Sequence, residues 1–106
     1  MESDSKIFPL RPAWVEIDLD RLRRNLQLIH RDKPPGVQLL AVVKDEAYGH
    51  GALDVARIAL DEGAWGFGLS TLEEATTLRD AGITAPLLLL GERQEAELPW
   101  CVEHDL

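Results

Sequence analysis

Residues 39–44 are Leu-Leu-Ala-Val-Val-Lys, and residues 45–51 that follow them are Asp-Glu-Ala-Tyr-Gly-His-Gly. The first segment is an apolar run without polar alternation, which is typical of a strand buried on both faces and hence of a parallel sheet. Lys44 is the last residue of this run. The second segment, with two glycines, predicts a loop that leads into a helix.

Strands and helices alternate on the carboxyl side of this stretch. The pattern predicts buried strands at residues 37–44, 65–69 and 86–90. Between them we expect a helix from Ala52 that ends at Gly63, and another that starts at the capping box of Thr71 and Glu74 and ends at Gly82. About two dozen residues separate successive strands, so right-handed βαβ units and a parallel sheet are expected.

The two ends of the chain carry weaker signals. Residues 1–12 are predicted to be a flexible lead, because prolines interrupt regular structure there. Residues 13–17 alternate enough for a short strand, and Asp18 is expected to cap a helix that runs to about Arg31. Near the other end, residues 92–97 predict a helical turn, and residues 100–102 the start of one more element.

The fold class is therefore α/β, with residues 13–106 in one domain. Two layouts share this order of elements: a doubly wound open sheet and a part of a (β/α)8 barrel. Three core strands cannot close a barrel, which takes eight strands. A partial architecture is expected, truncated after about three βα units.

The charge and composition of the chain exclude several classes of binding partner. The net charge of -8 argues against nucleic acids and anionic membranes, since both select clustered positive charge. A single cysteine, Cys101, cannot form an internal disulfide, and no cluster of metal ligands accompanies it. The N-terminus lacks a secretory signal, and the longest apolar run is far shorter than the roughly 20 residues of a membrane helix. We expect a soluble, cytoplasmic chain without a metal.

Lys44 is the candidate for chemistry. Ligands of parallel α/β sheets lie at the carboxyl ends of the strands, and a partly desolvated amine there is easier to deprotonate. Such an amine suits imine formation with a carbonyl, in a substrate or in pyridoxal phosphate. The alternative is that Lys44 extends to solvent and Tyr48 packs beside it. The glycine spacing matches neither common phosphate-binding loop, so residue chemistry alone leaves both interpretations open.

A family resemblance adds to this interpretation. The segment AVVKDEAYGHG, residues 41–51, resembles the pyridoxal-phosphate lysine motif of bacterial alanine racemases, usually written AVVKANAYGHG or AVVKADAYGHG. AWVEIDLDRLRRNL, residues 13–26, resembles the first strand and helix of that family. GFGLSTLEEATTLRDAGITAPLLLLG, residues 66–91, resembles the next two βα units, and VEHDL, residues 102–106, the start of the following strand.

The resemblance implies the N-terminal portion of a (β/α)8 barrel of fold type III that interconverts L- and D-alanine and supplies D-alanine for peptidoglycan. Lys44 would bind pyridoxal 5'-phosphate as a Schiff base and act as the base on the D-alanine side. Tyr48 would contact the cofactor phosphate, and Leu90 would line the cofactor pocket. His50 would serve through a supporting hydrogen bond. The family works as a homodimer.

The resemblance also sets limits. In the family the second base is a tyrosine of a C-terminal domain of the partner subunit, so these 106 residues alone are expected to be inactive. Asp45 and Glu46 stand where the family has alanine followed by asparagine or aspartate. One alternative is a non-catalytic half-barrel that self-associates or needs a complementing fragment. Another is a racemase of the same lineage for a different amino acid.

Overall fold

The computed structural model describes residues 13–106, so the lead predicted at residues 1–12 lies outside the described part. The elements follow in the order α1 (Leu19–Asp32), β1 (Leu40–Val42), α2 (Lys44–Gly49), α3 (Ala52–Asp61), β2 (Gly66–Leu69), α4 (Leu72–Asp80), β3 (Leu87–Leu89), a 3-10 turn (Glu95–Glu97) and α5 (Leu98–Glu103). The strands form one parallel sheet in the order β1-β2-β3. The predicted parallel α/β alternation is confirmed.

The central strand β2 fixes the register of the sheet. Leu40 is opposite Gly66 and Val42 is opposite Gly68, while on the other side of β2 Phe67 is opposite Leu87. Most of the core comes from the strands, the residue after β1, and α3 and α4, and α1 adds one residue: Phe67, Leu69, Leu87, Val43, Ala56, Ile58, Ala59, Ala75, Leu78 and Leu26. The sheet therefore shares one apolar core with these helices.

Burial on both faces, predicted for residues 37–44, is wrong for β1, and the buried strand predicted at residues 86–90 is only partly buried in β3. All of β2 is buried, but Val42 of β1 is 40% exposed and Leu88 of β3 is 51% exposed. Within residues 13–106 the helices supply a cover for only one face of the sheet. An apolar run indicates only that a strand is suited to burial. The outer strands remain partly exposed because a three-stranded sheet lacks the further strands that would cover its second face.

Helix ends follow the local signals in the sequence. Asp18 caps α1, where its Oδ1 accepts a 3.1 Å hydrogen bond from the Arg21 amide. Thr71 and Glu74 form the predicted capping box at the start of α4. Gly63 and Gly82 follow α3 and α4 with φ of 96° and 93°, the left-handed backbone that favours glycine after a helix. These predictions are confirmed.

Two predicted elements near the ends are corrected. Residues 13–17 are not a strand, and Trp14 and Val15 are 72% and 81% exposed. Alternation gives strand propensity only, and no backbone hydrogen bond within the described residues joins this segment to the sheet. Residues 102–106 do not start a strand either, because Val102 lies in α5. Pro99 lies in the first turn of α5, where its fixed φ favours a helix.

Arg79 joins α4 to the end of the described chain. Its guanidinium donates hydrogen bonds of 2.7–2.9 Å to four carbonyl oxygens, those of Ile83, Ala85, His104 and Asp105. We expect Arg79→Ala to lower the free energy of unfolding by about 3 kcal/mol, because four acceptors lose a charged donor at once. Urea denaturation followed by circular dichroism measures the change.

Arg57→Ala is the matched control for Arg79→Ala. Arg57 is exposed and donates a single 3.4 Å bond to the Ala81 oxygen, so the expected change is within about 0.5 kcal/mol. Equal unfolding midpoints for the two variants would contradict the role of Arg79.

Candidate active site

The segment directly after β1 has an unusual backbone. Asp45, Glu46, Ala47 and Tyr48 have φ of 54–56° and ψ of 38–48°, so α2 is a left-handed turn where the sequence predicts a loop. Left-handed backbone costs roughly 1–2 kcal/mol for each residue with a side chain. A turn of this kind persists only where the surrounding structure supports it. It is the site's first feature that sequence patterns do not reveal.

Hydrogen bonds inside the turn supply part of that support. The Ala47 amide donates to the Val43 oxygen at 3.0 Å, and the Gly51 amide donates to the Glu46 oxygen at 2.8 Å. His50 Nδ1 lies 3.0 Å from the Ala47 oxygen, which confirms a supporting hydrogen bond for this histidine. The Ala47 side chain is buried in the core. The turn is thus tied both to β1 and to the core.

Glu46 occupies the amino end of α3. Its Oε1 accepts a 3.2 Å hydrogen bond from the Ala52 amide. A helix N-terminus favours an anion such as a phosphate, but here the chain's own carboxylate is already placed there. A negative charge at a helix N-terminus is favoured by the helix dipole, so the residue that departs from the family motif has a structural use.

Glu74 connects α4 to the left-handed turn. Its Oε2 accepts a 2.6 Å hydrogen bond from the Asp45 amide, and its Oε1 accepts bonds of 2.8 and 2.9 Å from the amides of Ser70 and Thr71. The capping-box pattern in the sequence predicts the contact between Glu74 and the Thr71 amide. The contact with the Asp45 amide joins residues 29 positions apart, and no local sequence pattern predicts it.

The carboxyl group of Glu74 remains ionised at neutral pH. Burial alone raises its pKa, but the hydrogen bonds from three backbone amides and from Thr71 outweigh burial and hold the pKa below its ordinary 4.5. The stability that ionised Glu74 contributes is therefore complete above that ordinary value. It is lost as the pH falls through the lower pKa of the folded chain.

Lys44 lies where the sequence places it, at the carboxyl end of β1. The preceding amide, that of Val43, donates a 2.9 Å bond to the Gly68 oxygen and so continues the ladder to β2. The Lys44 side chain is half-buried. Within residues 13–106 no hydrogen bond or ion pair engages its amine.

Tyr48 is on the same turn as Lys44, four residues further on. It is 60% exposed, and its hydroxyl has no hydrogen-bond partner among the described residues. It does not pack as a core aromatic residue. A phenol presented in this way is able to donate a hydrogen bond to a phosphate oxygen.

Leu90 follows β3 and extends across the sheet. A Cβ atom at Gly68 would lie 3.4 Å from Leu90 Cδ1 and 3.4 Å from Val42 Cγ2. The missing side chain at Gly68 therefore lets side chains from β1 and β3 approach each other over β2. Leu90 thus lies on the same side of the sheet as Val42, two residues before Lys44.

Arg93, which the sequence analysis did not single out, links the residues that follow β2 and β3. Its Nη2 donates to the Ser70 oxygen at 2.7 Å and to the Leu90 oxygen at 3.3 Å. Nη1 lies 3.6 Å from Glu97 Oε2. The side chain is 20% exposed, so a largely buried cation holds the segment after Leu90 in place.

These residues fit the cofactor suggested by the sequence. Lys44 would offer an amine to the aldehyde of pyridoxal phosphate, Tyr48 would offer a hydroxyl to its phosphate, and Leu90 would offer an apolar contact. The described residues contain no cluster of metal ligands, and none of their helices is long and apolar enough to cross a membrane. The fold and site define a class: a parallel α/β protein with a half-buried lysine at the carboxyl end of its first strand.

Comparisons with known proteins are specific about the family. The family model for the N-terminal domain of alanine racemase matches residues 17–106. The alanine racemase of Methanococcus maripaludis is 44% identical over 90% of this chain and 26% of its own length. That of Nostoc is 51% identical over 80% of this chain and 22% of its own length. The chain belongs to the alanine racemase family.

Solved structures agree with this assignment. The alanine racemase of Bacillus anthracis, solved with bound L-Ala-P, matches 90% of this chain and 25% of its own chain, with a TM-score of 0.84 and 44% identity. The enzyme from E. faecalis matches 85% of this chain with a TM-score of 0.82. The three strands and their helices therefore correspond to the N-terminal part of the family's barrel. The chain spans about a quarter of the length of these relatives.

Proposed function

We propose that this chain is the cofactor-binding N-terminal part of an alanine racemase and that Lys44 carries pyridoxal 5'-phosphate. One observation supports this most directly. A half-buried lysine without a partner in the described residues lies at the carboxyl end of β1, inside a segment that matches the alanine racemase family. The carboxyl end of parallel strands is where such folds bind ligands.

The proposal gives each site residue a task. The Lys44 amine would hold the cofactor through its aldehyde and, once the substrate amine has taken its place there, would remove or return the α-proton on the D-alanine side. The Tyr48 hydroxyl donates to the cofactor phosphate, and Leu90 packs against the ring. The bound cofactor withdraws electrons from the α-carbon, which makes that proton acidic enough for an amine to remove.

Racemisation also needs an acid/base on the opposite face of the substrate. Tyr48 is the only tyrosine of the 106 residues and is assigned to the phosphate. We therefore propose that the second group comes from sequence outside this chain, in a homodimer, and that residues 1–106 alone do not racemise alanine. The same proposal has the complete enzyme act in the cytoplasm and supply D-alanine for peptidoglycan.

Cofactor trapping tests the assignment of Lys44. The chain is incubated with pyridoxal phosphate, reduced with borohydride, digested and mapped by mass spectrometry. Its three lysines are Lys6, Lys33 and Lys44, and chymotryptic cleavage after Leu39 or Leu40 places Lys33 and Lys44 on separate peptides. We expect the adduct at Lys44 at cofactor concentrations that leave Lys33 unlabelled. Equal labelling of the three lysines would contradict the proposal.

A second candidate function is a non-catalytic half-barrel that associates with itself. The partly exposed apolar side chains of Val42 and Leu88 on the open face of the sheet favour it, because exposed apolar surface of this kind promotes association. Sedimentation at low concentration separates the candidates when combined with cofactor trapping. A stable dimer without selective labelling of Lys44 would favour the half-barrel.

A different amino acid as substrate is the third candidate. We propose alanine because the relatives that match are named alanine racemases. A chimera tests this choice by joining the chain to the remaining three quarters of the Bacillus anthracis relative. We expect the chimera to racemise alanine. Faster turnover of another amino acid than of alanine would reject the choice.

A further inference from the structure

We propose that Glu74 is a positioning residue for Lys44: its carboxylate holds the Asp45 amide and so fixes the direction in which the chain leaves β1. The importance of this direction rests on the function proposed for Lys44. The contact that carries the inference is the 2.6 Å hydrogen bond from the Asp45 amide to Glu74 Oε2.

Lys44 lies between two backbone amides that are both held by the β2–α4 unit. The amide before it, at Val43, donates to the Gly68 oxygen of β2 at 2.9 Å. The amide after it, at Asp45, donates to Glu74 of α4. The peptide unit between Val43 and Lys44 is held as well, because the Val43 oxygen accepts the 3.0 Å bond from the Ala47 amide. The peptide units on either side of Lys44 therefore have one orientation, and its side chain starts from one direction.

The left-handed turn makes the second contact necessary. The dihedral angles change from extended values in β1 to φ of 54° and ψ of 48° at Asp45. Left-handed backbone is disfavoured for a residue with a side chain, so the turn relaxes unless its start is held. A carboxylate acceptor is suited to this because hydrogen bonds to charged groups are stronger than neutral ones.

Glu74 is itself held in place. Its Oε1 accepts the amides of Ser70 and Thr71, and its own amide donates to Thr71 Oγ1 at 3.1 Å. These bonds leave Oε2 directed at Asp45. Because Ser70 directly follows β2, the carboxylate joins the ends of two neighbouring strands at the face where the cofactor would bind.

The variant Glu74→Gln separates positioning from helix capping. Glutamine keeps one carbonyl oxygen for the capping contacts, but its other terminal atom is an NH2 group that cannot accept the Asp45 amide. Thr71→Ala is the complementary control, since it removes the hydroxyl of the capping box and leaves Oε2 in place. Glu73→Gln on the same helix turn controls for loss of one negative charge, because Glu73 is exposed.

Two readouts are needed. Amide hydrogen exchange at Asp45 reports the hydrogen bond without any cofactor. Timed borohydride trapping reports the rate at which Lys44 attaches pyridoxal phosphate, at cofactor concentrations that leave Lys33 unlabelled. For Glu74→Gln we expect exchange at Asp45 to rise about tenfold and the limiting rate of Lys44 labelling to fall about tenfold. Thr71→Ala and Glu73→Gln are expected to leave both within about twofold.

Each outcome decides the inference. Unchanged Asp45 exchange in Glu74→Gln overturns it, and so does faster exchange with unchanged Lys44 labelling. Equal effects in Thr71→Ala would show that Glu74 acts only as a cap and would also overturn it. If the unmodified chain shows no selectivity for Lys44, the proposed function fails. In that case Asp45 exchange alone decides whether Glu74 holds the turn.

Discussion

Replacing Lys44 by alanine is expected to abolish covalent attachment of pyridoxal phosphate at cofactor concentrations that leave Lys33 unlabelled. The amine is the only nucleophile at the carboxyl end of β1 that condenses with an aldehyde, and nearby carboxylates and the Tyr48 phenol do not replace it. We expect the absorption band of the bound cofactor to disappear. In the chimera, we expect racemisation of alanine to fall on the order of a thousandfold or more.

Lys33→Ala is the matched control, because Lys33 directly follows α1 and is not at the carboxyl end of a strand. It should leave both the absorption band and racemisation within about twofold of the unmodified protein. A cofactor band that survives in Lys44→Ala would assign the attachment to another amine. Lys44→Arg adds a further check, since it keeps the positive charge and removes the reactive amine.

Replacing Gly66 by alanine is expected to have the largest effect on stability of any single methyl addition in the sheet. A Cβ atom at Gly66 would lie 2.6 Å from the backbone oxygen of Pro86. That oxygen accepts a 2.9 Å hydrogen bond from the Phe67 amide, so it cannot move away without breaking the β2–β3 ladder. We expect a loss of about 3 kcal/mol, from overpacking and a weakened hydrogen bond.

Gly68→Ala provides the comparison for this prediction, two residues further along β2 and on the same side of the sheet. Its Cβ would meet only side-chain carbons, those of Leu90, Val42 and Leu40, at 3.4–3.5 Å. Ordinary van der Waals contact of this kind should change stability by less than about 1 kcal/mol. Urea unfolding of both variants measures the difference, and equal midpoints would show that the sheet absorbs the clash at Gly66.

The predictable parts of this protein are those governed by neighbours in sequence. Asp18 precedes an amphipathic helix, and Thr71 precedes a glutamate by three positions, so both caps follow from short-range hydrogen-bonding geometry. Gly63 and Gly82 end their helices for a similarly local reason. The position of Lys44 after β1 follows from the apolar run, because such a run ends where a charged side chain reaches the edge of the sheet.

The errors also have a physical pattern. Residues 13–17 have strand propensity but lack backbone pairing within the described residues, and propensity alone does not make a strand. The two glycines after Lys44 predict a loop, and the sequence gives no signal for the left-handed turn, because residue types such as Glu46, Ala47 and Tyr48 rarely adopt left-handed backbone. The contacts that hold this turn come from Glu74 and His50.

The sequence by itself determined the parallel α/β alternation, the helix caps and a lysine at the end of the first strand of the sheet. These features depend on periodicity and on contacts within a few residues. Only the tertiary structure decided the left-handed turn, the bridge from Glu74 to Asp45 and the approach of Leu90 to Val42 over Gly68. The bridge from Glu74 and the approach of Leu90 join residues far apart in the chain, so they exist only once β1, β2 and β3 lie side by side. The left-handed turn depends on the first of these contacts.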